Sequence, residues 1–417
     1  MEKHYESLLE KLLLFYPYLK KGHTEEKLEI YIQKFHNFNK AYREIKDKNP
    51  DEDSRYVVAK TLISGLQQEE IDEFDLDNLL FLLLEDSLFN AYLFKLKDVT
   101  RKLSTAKNLF NSWKIPRDRK ILSNVDKKHP HDFVICGYRA EETEGAIESL
   151  RLLLLDSKRI TVRSKNSDAK EIIYPTFVEI DFRRALLHIR VRDVDNIVDE
   201  SEEFSTMSGR IDNTLKFLDH FQPEIHYEKF DNFRKNLFEL EEHLLKDKRN
   251  LAQEKLYTFS SEIDHFTDLV CKKFTPPKAE ITPEKHIQNG VLSIIATTLN
   301  ANELGDIFGI KFRNGKKDND QKYAEITIRD NGYKCISSNN LYWLNLPVLQ
   351  NKKAIELLQI VKTLDNGTVI ANLEFSLDTA NIKLHQKGSK EFNGDHKPSQ
   401  EKYDDFLNFI LDFIEKN

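Results

Sequence analysis

Apolar and polar positions alternate with different periods along the chain, and the changes of period divide it into segments. Leu28, Tyr31, Ile32, Phe35 and Phe38 recur at three- and four-residue spacing. That spacing predicts an amphipathic helix, with Thr24 as its N-cap and Glu25 and Glu26 in an acidic first turn. Ser54 is placed to cap a second helix through Tyr56 and Leu62. From Leu76 to Leu103 the chain is apolar nearly all round, which predicts a central helix or helix pair, and Pro116 closes the series.

A strand period follows. "DFVICGYR" from Asp132, "RITVRS" from Arg159 and "KEIIYPTF" from Lys170 alternate and are β-branched, while "EETEGAIESLRLLLLDS" reads as a helix across the sheet. "VEIDFRRALLHIRVRD", residues 178–193, reads as a β-hairpin. With Arg183 to Leu186 as its turn, Phe182 faces Leu187, Ile180 faces Ile189 and Val178 faces Val191 on one apolar side. The other side pairs Asp181 with His188 and Glu179 with Arg190, cross-strand contacts worth at most about 1 kcal/mol each. A two-residue turn, which sets Glu179 against His188 and Asp181 against Leu186, matches less well.

From Phe230 the spacing becomes heptad-like. Phe230, Phe233, Leu237, Leu240 and Leu244 step alternately by three and four, and so do Leu256, Phe259, Ile263, Phe266 and Val270. No Gly or Pro interrupts 225–273, so one long helix with a phase shift near Leu251 competes with a helical hairpin. The seam either packs on a helix from Ile211 to Phe221 or mediates self-association. Pro276, Pro277 and Pro283 mark a linker. Beyond it come a helix near Ile287 to Leu299, strands "FGIKFR", "KYAEITIRD" and "YKCISS", a tight turn at Asp330, Asn331 and Gly332, and strands "GTVIANLEFSL" and "ANIKLHQ". A loop at "KGSKEFNGDHKPSQ" and an amphipathic helix from Glu401 to Ile414 complete the chain.

The expected architecture is therefore α+β and multi-domain. A helical unit covers 1–120, a small, mostly antiparallel sheet with a helix covers 121–205, a long helix or helical hairpin of coiled-coil character covers 206–275, and a C-terminal α+β unit covers 276–417.

Composition supports folding: 40% of residues are hydrophobic and 32% charged, enough apolar material for a core under a heavily charged surface. The longest apolar runs fall far short of a membrane span, and the N-terminal segment reads as a helix rather than a signal peptide, so a cytoplasmic location without membrane contact is expected. The wealth of Lys, Asn and Ile is that of an AT-rich bacterial coding sequence. Cys136, Cys271 and Cys335 are too dispersed for a disulfide framework or zinc ribbon and read as small packed hydrophobes.

Net charge is −7, but unevenly placed. Six acids crowd 69–77, whereas Arg101, Lys102, Lys107, Lys114, Arg117, Arg119, Lys120, Lys127 and Lys128 face only Asp118 and Asp126. With Trp113 and Phe110 among them, these bases are the pattern of a phosphate-contacting surface with a stacking residue. The alternative is a solvated helix end neutralised by the acids upstream. "SIIATTLNANELGDIFGIK", with a second short helix from Ala301 and "EITIRDNGYKCI" as a wing, gives half of a helix-turn-helix without its recognition helix.

His129, His131 and Asp132 crowd a strand entry and suit zinc or iron, which suggests a metal-dependent nuclease or hydrolase drawing on Glu179 and Asp181 as well. Against it, an E-x-K nuclease strand needs a lysine where Asp181 stands, and no further histidine recurs at ligand spacing. No P-loop, dinucleotide-binding, α/β-hydrolase or zincin motif is present. No cofactor is implied. The leading expectation is a non-enzymatic binding protein acting in a complex, with nucleic acid contacted through the basic segment or a protein partner or second copy through Phe230 to Val270. A purely structural oligomeric scaffold is the other non-enzymatic reading.

Overall fold

A computed structural model describes residues 2–97, 106–125, 133–144, 146–156, 158–162, 169–192, 207–275, 281–299, 306–314, 324–385 and 397–414. The chain is mixed α+β and forms two compact units, Met1–Lys229 and Phe230–Asn417. The segments expected at 1–120 and 121–205 share the first unit, and the heptad region lies in the second.

The first unit opens with helices α1 (Glu2–Leu13), α2 (Lys21–Lys27), α3 (Phe38–Lys48), α4 (Ser54–Gln67) and α5 (Glu73–Glu85). Helix α2 starts at Lys21, so Thr24 is a buried helix residue rather than an N-cap. The expected helix through Phe35 is interrupted, because Gln33 and Phe35 take left-handed backbone conformations. Asp53, not Ser54, caps α4 by accepting the Arg55 N–H at 2.8 Å.

Helix α5 is anchored by a capping box: Asp72 accepts the Asp75 N–H at 2.8 Å, and Asp75 accepts the Asp72 N–H at 3.0 Å. Part of the acidic run at 69–77 thus serves a helix N-terminus, where negative charge suits the dipole. The apolar stretch expected to stay helical to Leu103 instead ends at Glu85 and re-enters as strand β1 (Asn90–Leu96). Tyr92, Phe94 and Leu96 there alternate onto one core.

Helix α6 (Ala106–Ser112), β2 (Phe133–Thr143), β3 (Ala146–Asp156), β4 (Arg159–Val162), β5 (Lys170–Ile173), β6 (Thr176–Asp181), β7 (Leu186–Val191), α7 (Met207–Leu218) and β8 (Tyr227–Glu228) complete the unit. The neighbour order β8-β1-β7-β6-β3-β2 is antiparallel throughout, and β4 and β5 form a separate ribbon. The segment read as a helix, "EETEGAIESLRLLLLDS", is the end of β2 and all of β3. Its leucines favour helix locally, but Leu150, Leu152 and Leu154 enter one core and Leu153 and Leu155 the other. A strand covered on both faces has no need of alternation.

One core joins α1, α3, α4 and α5 to a sheet face, and the second joins α6 and α7 to the opposite face. Arg210 of α7 fastens the second layer by pairing with Asp156 and donating to Thr176 Oγ1 at 2.9 Å.

The second unit contains α8 (Phe233–Tyr257), α9 (Ser260–Phe274), α10 (Pro283–Leu299), β9 (Asp306–Asn314), β10 (Ala324–Arg329), α11 (Asn340–Lys352), β11 (Leu357–Leu364), β12 (Gly367–Ser376), β13 (Thr379–Leu384) and α12 (Gln400–Ile414). Strands run in the antiparallel order β10-β9-β11-β12-β13. The first heptad seam is spent inside this unit, where Phe233, Leu237 and Leu240 line a shared cavity with Leu373 of β12 and Ile410 of α12. The continuous-helix alternative for the heptad region fails at Thr258 and Phe259, between α8 and α9.

The Asp330 turn forms, with Asp330 Oδ1 accepting the Gly332 N–H at 2.8 Å, but "YKCISS" is not a strand and continues as a 3-10 turn over Ile336–Ser338. Residues 301–305, the proposed second helix of the helix-turn-helix, lie outside the described set, and Asp306 onward is β9. Most of the loop at 387–400 also lies outside it. Among the described residues no helix is long and apolar enough to cross a membrane.

Candidate interaction surface

Arg101, Lys102, Lys127 and Lys128 lie outside the described residues, as does the side chain of Lys107. Lys114, Arg117 and Lys120 are exposed on the coil after α6. Trp113 is a core residue, 6% exposed, packed on Phe221 at 4.8 Å and donating its indole N–H to the Pro223 carbonyl at 3.2 Å. Its ring offers no face on which a base could stack. Arg119 turns inward: its guanidinium lies 3.9 Å from the centre of the Phe81 ring and donates to Asn78 Oδ1 at 2.9 Å. Burial, with Arg139 nearby, draws the Arg119 pKa down to about 10. Gly137 permits this packing, since a Cβ there would stand 3.0 Å from Arg119 Cγ and 3.2 Å from the Phe81 ring. The structure therefore brings Lys114, Arg117 and Lys120 to the surface and commits Trp113 and Arg119 to the interior.

The carboxylate and histidine face of β6 and β7 is buried, not a solvated salt-bridged surface. Its register is also displaced from the expected one. Glu179 stands opposite His188 and Asp181 opposite Leu186, the pairing that matched less well in the sequence. Asp181 explains the shift: it accepts the Arg184 N–H at 3.0 Å and pairs with the Arg184 guanidinium, tying residues 182–185 into a four-residue turn in which Ala185 is left-handed. The displacement is two residues, so the apolar side of Val178, Ile180, Leu187 and Ile189 is kept.

On the charged side, Arg190 donates to Glu179 Oε2 at 3.0 Å and to the Leu88 carbonyl at 2.9 Å. Arg151 reaches Glu179 Oε1 at 3.2 Å, Glu85 Oε1 at 2.7 Å, and Glu141. Arg139 meets Glu85 Oε2 at 3.0 Å. Helix α5 covers this face through Glu85, so ions that would be cheap on a surface must neutralise one another. Burial alone would raise the Glu179 carboxyl, but Arg151 and Arg190 outweigh it and hold it at about 2. His188, fully buried, is pushed down to about 4 by that burial despite Glu179 and Asp181 nearby. Glu179 and Asp181, once candidates for a metal-dependent centre, are each bound to arginine. Their companions His129, His131 and Asp132 lie outside the described residues. Among the described residues no group of three or more His, Cys, Asp or Glu side chains is placed to hold a metal ion.

An acidic cleft of about 340 Å³ is lined by His4, Lys34, Glu69, Glu70, Glu73 and Asp75, among others. Lys34 meets Asp75 at 2.8 Å and His4 meets Glu73 at 3.0 Å. These contacts, with the capping box, account for part of its charge.

The second heptad seam gives the most distinctive surface. Helix α9 packs on α10 and buries Ile263. Phe259, its N-cap, is 47% exposed, Phe266 54%, Leu269 42% and Phe274 75%. On a 3.6-residue period Phe259, Phe266 and Leu269 fall within one quadrant of the helix beside the buried Ile263, and Phe274 lies beyond Ile263 at the C-terminal end. Cys271, expected as a packed hydrophobe, is exposed on α9, whereas Cys136 and Cys335 are buried. The spacing marks this seam as apolar. It does not show that Phe259 and Phe266 stay exposed while Leu256 and Ile263 are buried, because burial depends on packing partners that the heptad pattern does not encode.

No family model, curated protein or solved structure matches the chain.

Proposed function

We propose that the chain is a non-enzymatic binding protein that acts within a protein assembly, with the outer face of α9 as its contact surface. The observation that supports this reading is the group of exposed large apolar side chains, Phe259, Phe266, Leu269 and Phe274, beside the buried Ile263 on α9. Apolar residues grouped on one element mark a surface that gains by being covered. The charged groups at the centre of the first unit fit a structural part in this reading, since arginines engage Glu179 and Asp181.

A photo-crosslinking amino acid at Leu269, introduced in the cell that makes the protein, tests it. A discrete protein adduct is expected there and none from the exposed position Asp51. Absence of an adduct at Leu269 contradicts the reading.

A second reading, contact with nucleic acid, keeps the exposed bases Lys114, Arg117 and Lys120, which lie within seven residues of one another. Cations so grouped would release counterions from phosphate and bind in a strongly salt-dependent way. Fluorescence anisotropy at low salt is expected to detect binding that weakens when Arg117 and Lys120 are replaced by Glu. Binding that is absent, or unchanged by the double replacement, removes this reading.

A further inference from the structure

We infer that strand β10 pairs antiparallel with β10 of a second copy of the chain, with Thr327 opposite its own symmetry mate. The contact lies on a different element from α9 and goes beyond the reading given above.

β10 ends the strand order of its unit, and among the described residues β9 is its one neighbouring strand. An end strand carries main-chain donors and acceptors without partners on its outer side, and proteins commonly protect such an edge with a bulge or a proline. β2, at the end of the order in the first unit, has two irregularities in its register with β3. β10 has neither device: its register with β9 is continuous from Ala324 to Arg329, and the segment contains no proline.

The hydrogen bonds fix which groups face outward. The Asp330 N–H donates to the Phe308 carbonyl at 2.8 Å, in continuation of the register, so Asp330, Ile328 and Ile326 direct their main-chain groups toward β9. The Lys311 carbonyl keeps the same alternation, accepting the Glu356 N–H at 2.8 Å on the β11 side of β9. The N–H and C=O groups of Glu325, Thr327 and Arg329 therefore point away from the sheet, and their side chains stand exposed on one face.

A strand added at this edge must exchange hydrogen bonds with these three residues. About a twofold axis at Thr327, a second β10 sets Glu325 of each copy opposite Arg329 of the other and Ile326 opposite Ile328 on the core face. An axis at Glu325 or Arg329 would oppose like charges, and one at Ile326 or Ile328 would set a charge against Thr327. Among the described residues Arg329 has no ion pair within the chain, while Glu325 commits Oε2 to Lys311 at 3.0 Å and retains Oε1. Charge and hydrogen-bond alternation thus select one register, and the half-buried Ile326 gains cover in it. The contact is isologous and closes as a dimer. Three opposed pairs exchange about six main-chain hydrogen bonds, so the interface is small and association should depend on concentration.

Light scattering on the full chain after size exclusion, over a concentration series, tests this. The wild type is expected to rise from the chain mass of 49.0 kDa toward twice that value. Thr327→Pro should stay at the single-chain mass with an unchanged circular dichroism spectrum, because the N–H it removes points away from β9. Glu325→Arg and Arg329→Glu should each raise the dissociation constant roughly tenfold, since each opposes like charges at both ends of the contact. Mixing these two variants should restore association, because a heterodimer of them opposes unlike charges at both ends again.

A wild type that stays monomeric, a dimer indifferent to Thr327→Pro, or mixed charge variants that fail to associate overturns the inference.

Discussion

Glu179 is the residue on which the interior of the first unit turns. It accepts from Arg151 and Arg190, both nearly inaccessible to solvent. Glu179→Gln should therefore cost about 3–5 kcal/mol in urea unfolding, because it leaves two buried guanidiniums undercompensated. A loss below about 1 kcal/mol would show that the arginines find other partners. His188 carries the complementary pH dependence. Its pKa in the folded protein, about 4, lies below the ordinary value of 6.5, so as pH falls the unfolded chain takes the proton first. Its contribution to stability is present above about pH 6.5 and is lost as pH drops toward 4, an effect of about 3 kcal/mol. Unfolding curves across that window should show His188→Asn with a shallower decline than the wild type, and parallel profiles would contradict this. The identity of the charged face was legible in the period of two along Glu179, Asp181, His188 and Arg190. Its depth was not, since α5 covers it from more than ninety residues away.

Elements were legible where local preference and tertiary demand agree. The strands β9, β10, β12 and β13, and helices α10 and α12 follow from spacing and turn residues. They were misread where the two disagree. The Leu150–Leu155 run favours helix by itself yet serves as a strand because both its faces are covered. β11 and α11 were not read at all. Pro347 lies inside α11 and argues against a helix in sequence, although the helix survives it. Helix α9 is the reverse case: its seam was read, but the two seams look equally apolar, and in the second Leu256 and Ile263 are buried while Phe259 and Phe266 stay exposed. Because Phe266 is 54% exposed, replacing it with Asp should lower the unfolding midpoint in a thermal melt only slightly, and a large drop would show that the side chain serves the core instead.

At the scale of the molecule, the chain forms two compact α+β units. The first uses four arginines, Arg139, Arg151, Arg184 and Arg190, against Glu85, Glu141, Glu179 and Asp181 to close its interior. The second offers α9. The expected segments at 121–205 and 206–275 were cut by changes of period. Packing groups the chain differently, because β1 comes from before 121 and pairs with β7, and because α7 and α8 belong to different units. The central claim, that this chain works by docking through α9, is met most directly by in-cell crosslinking from Leu269 in the wild-type and Phe266→Asp backgrounds. The account predicts a discrete adduct in the first and its loss in the second; no adduct, or one of equal yield in both, would contradict it.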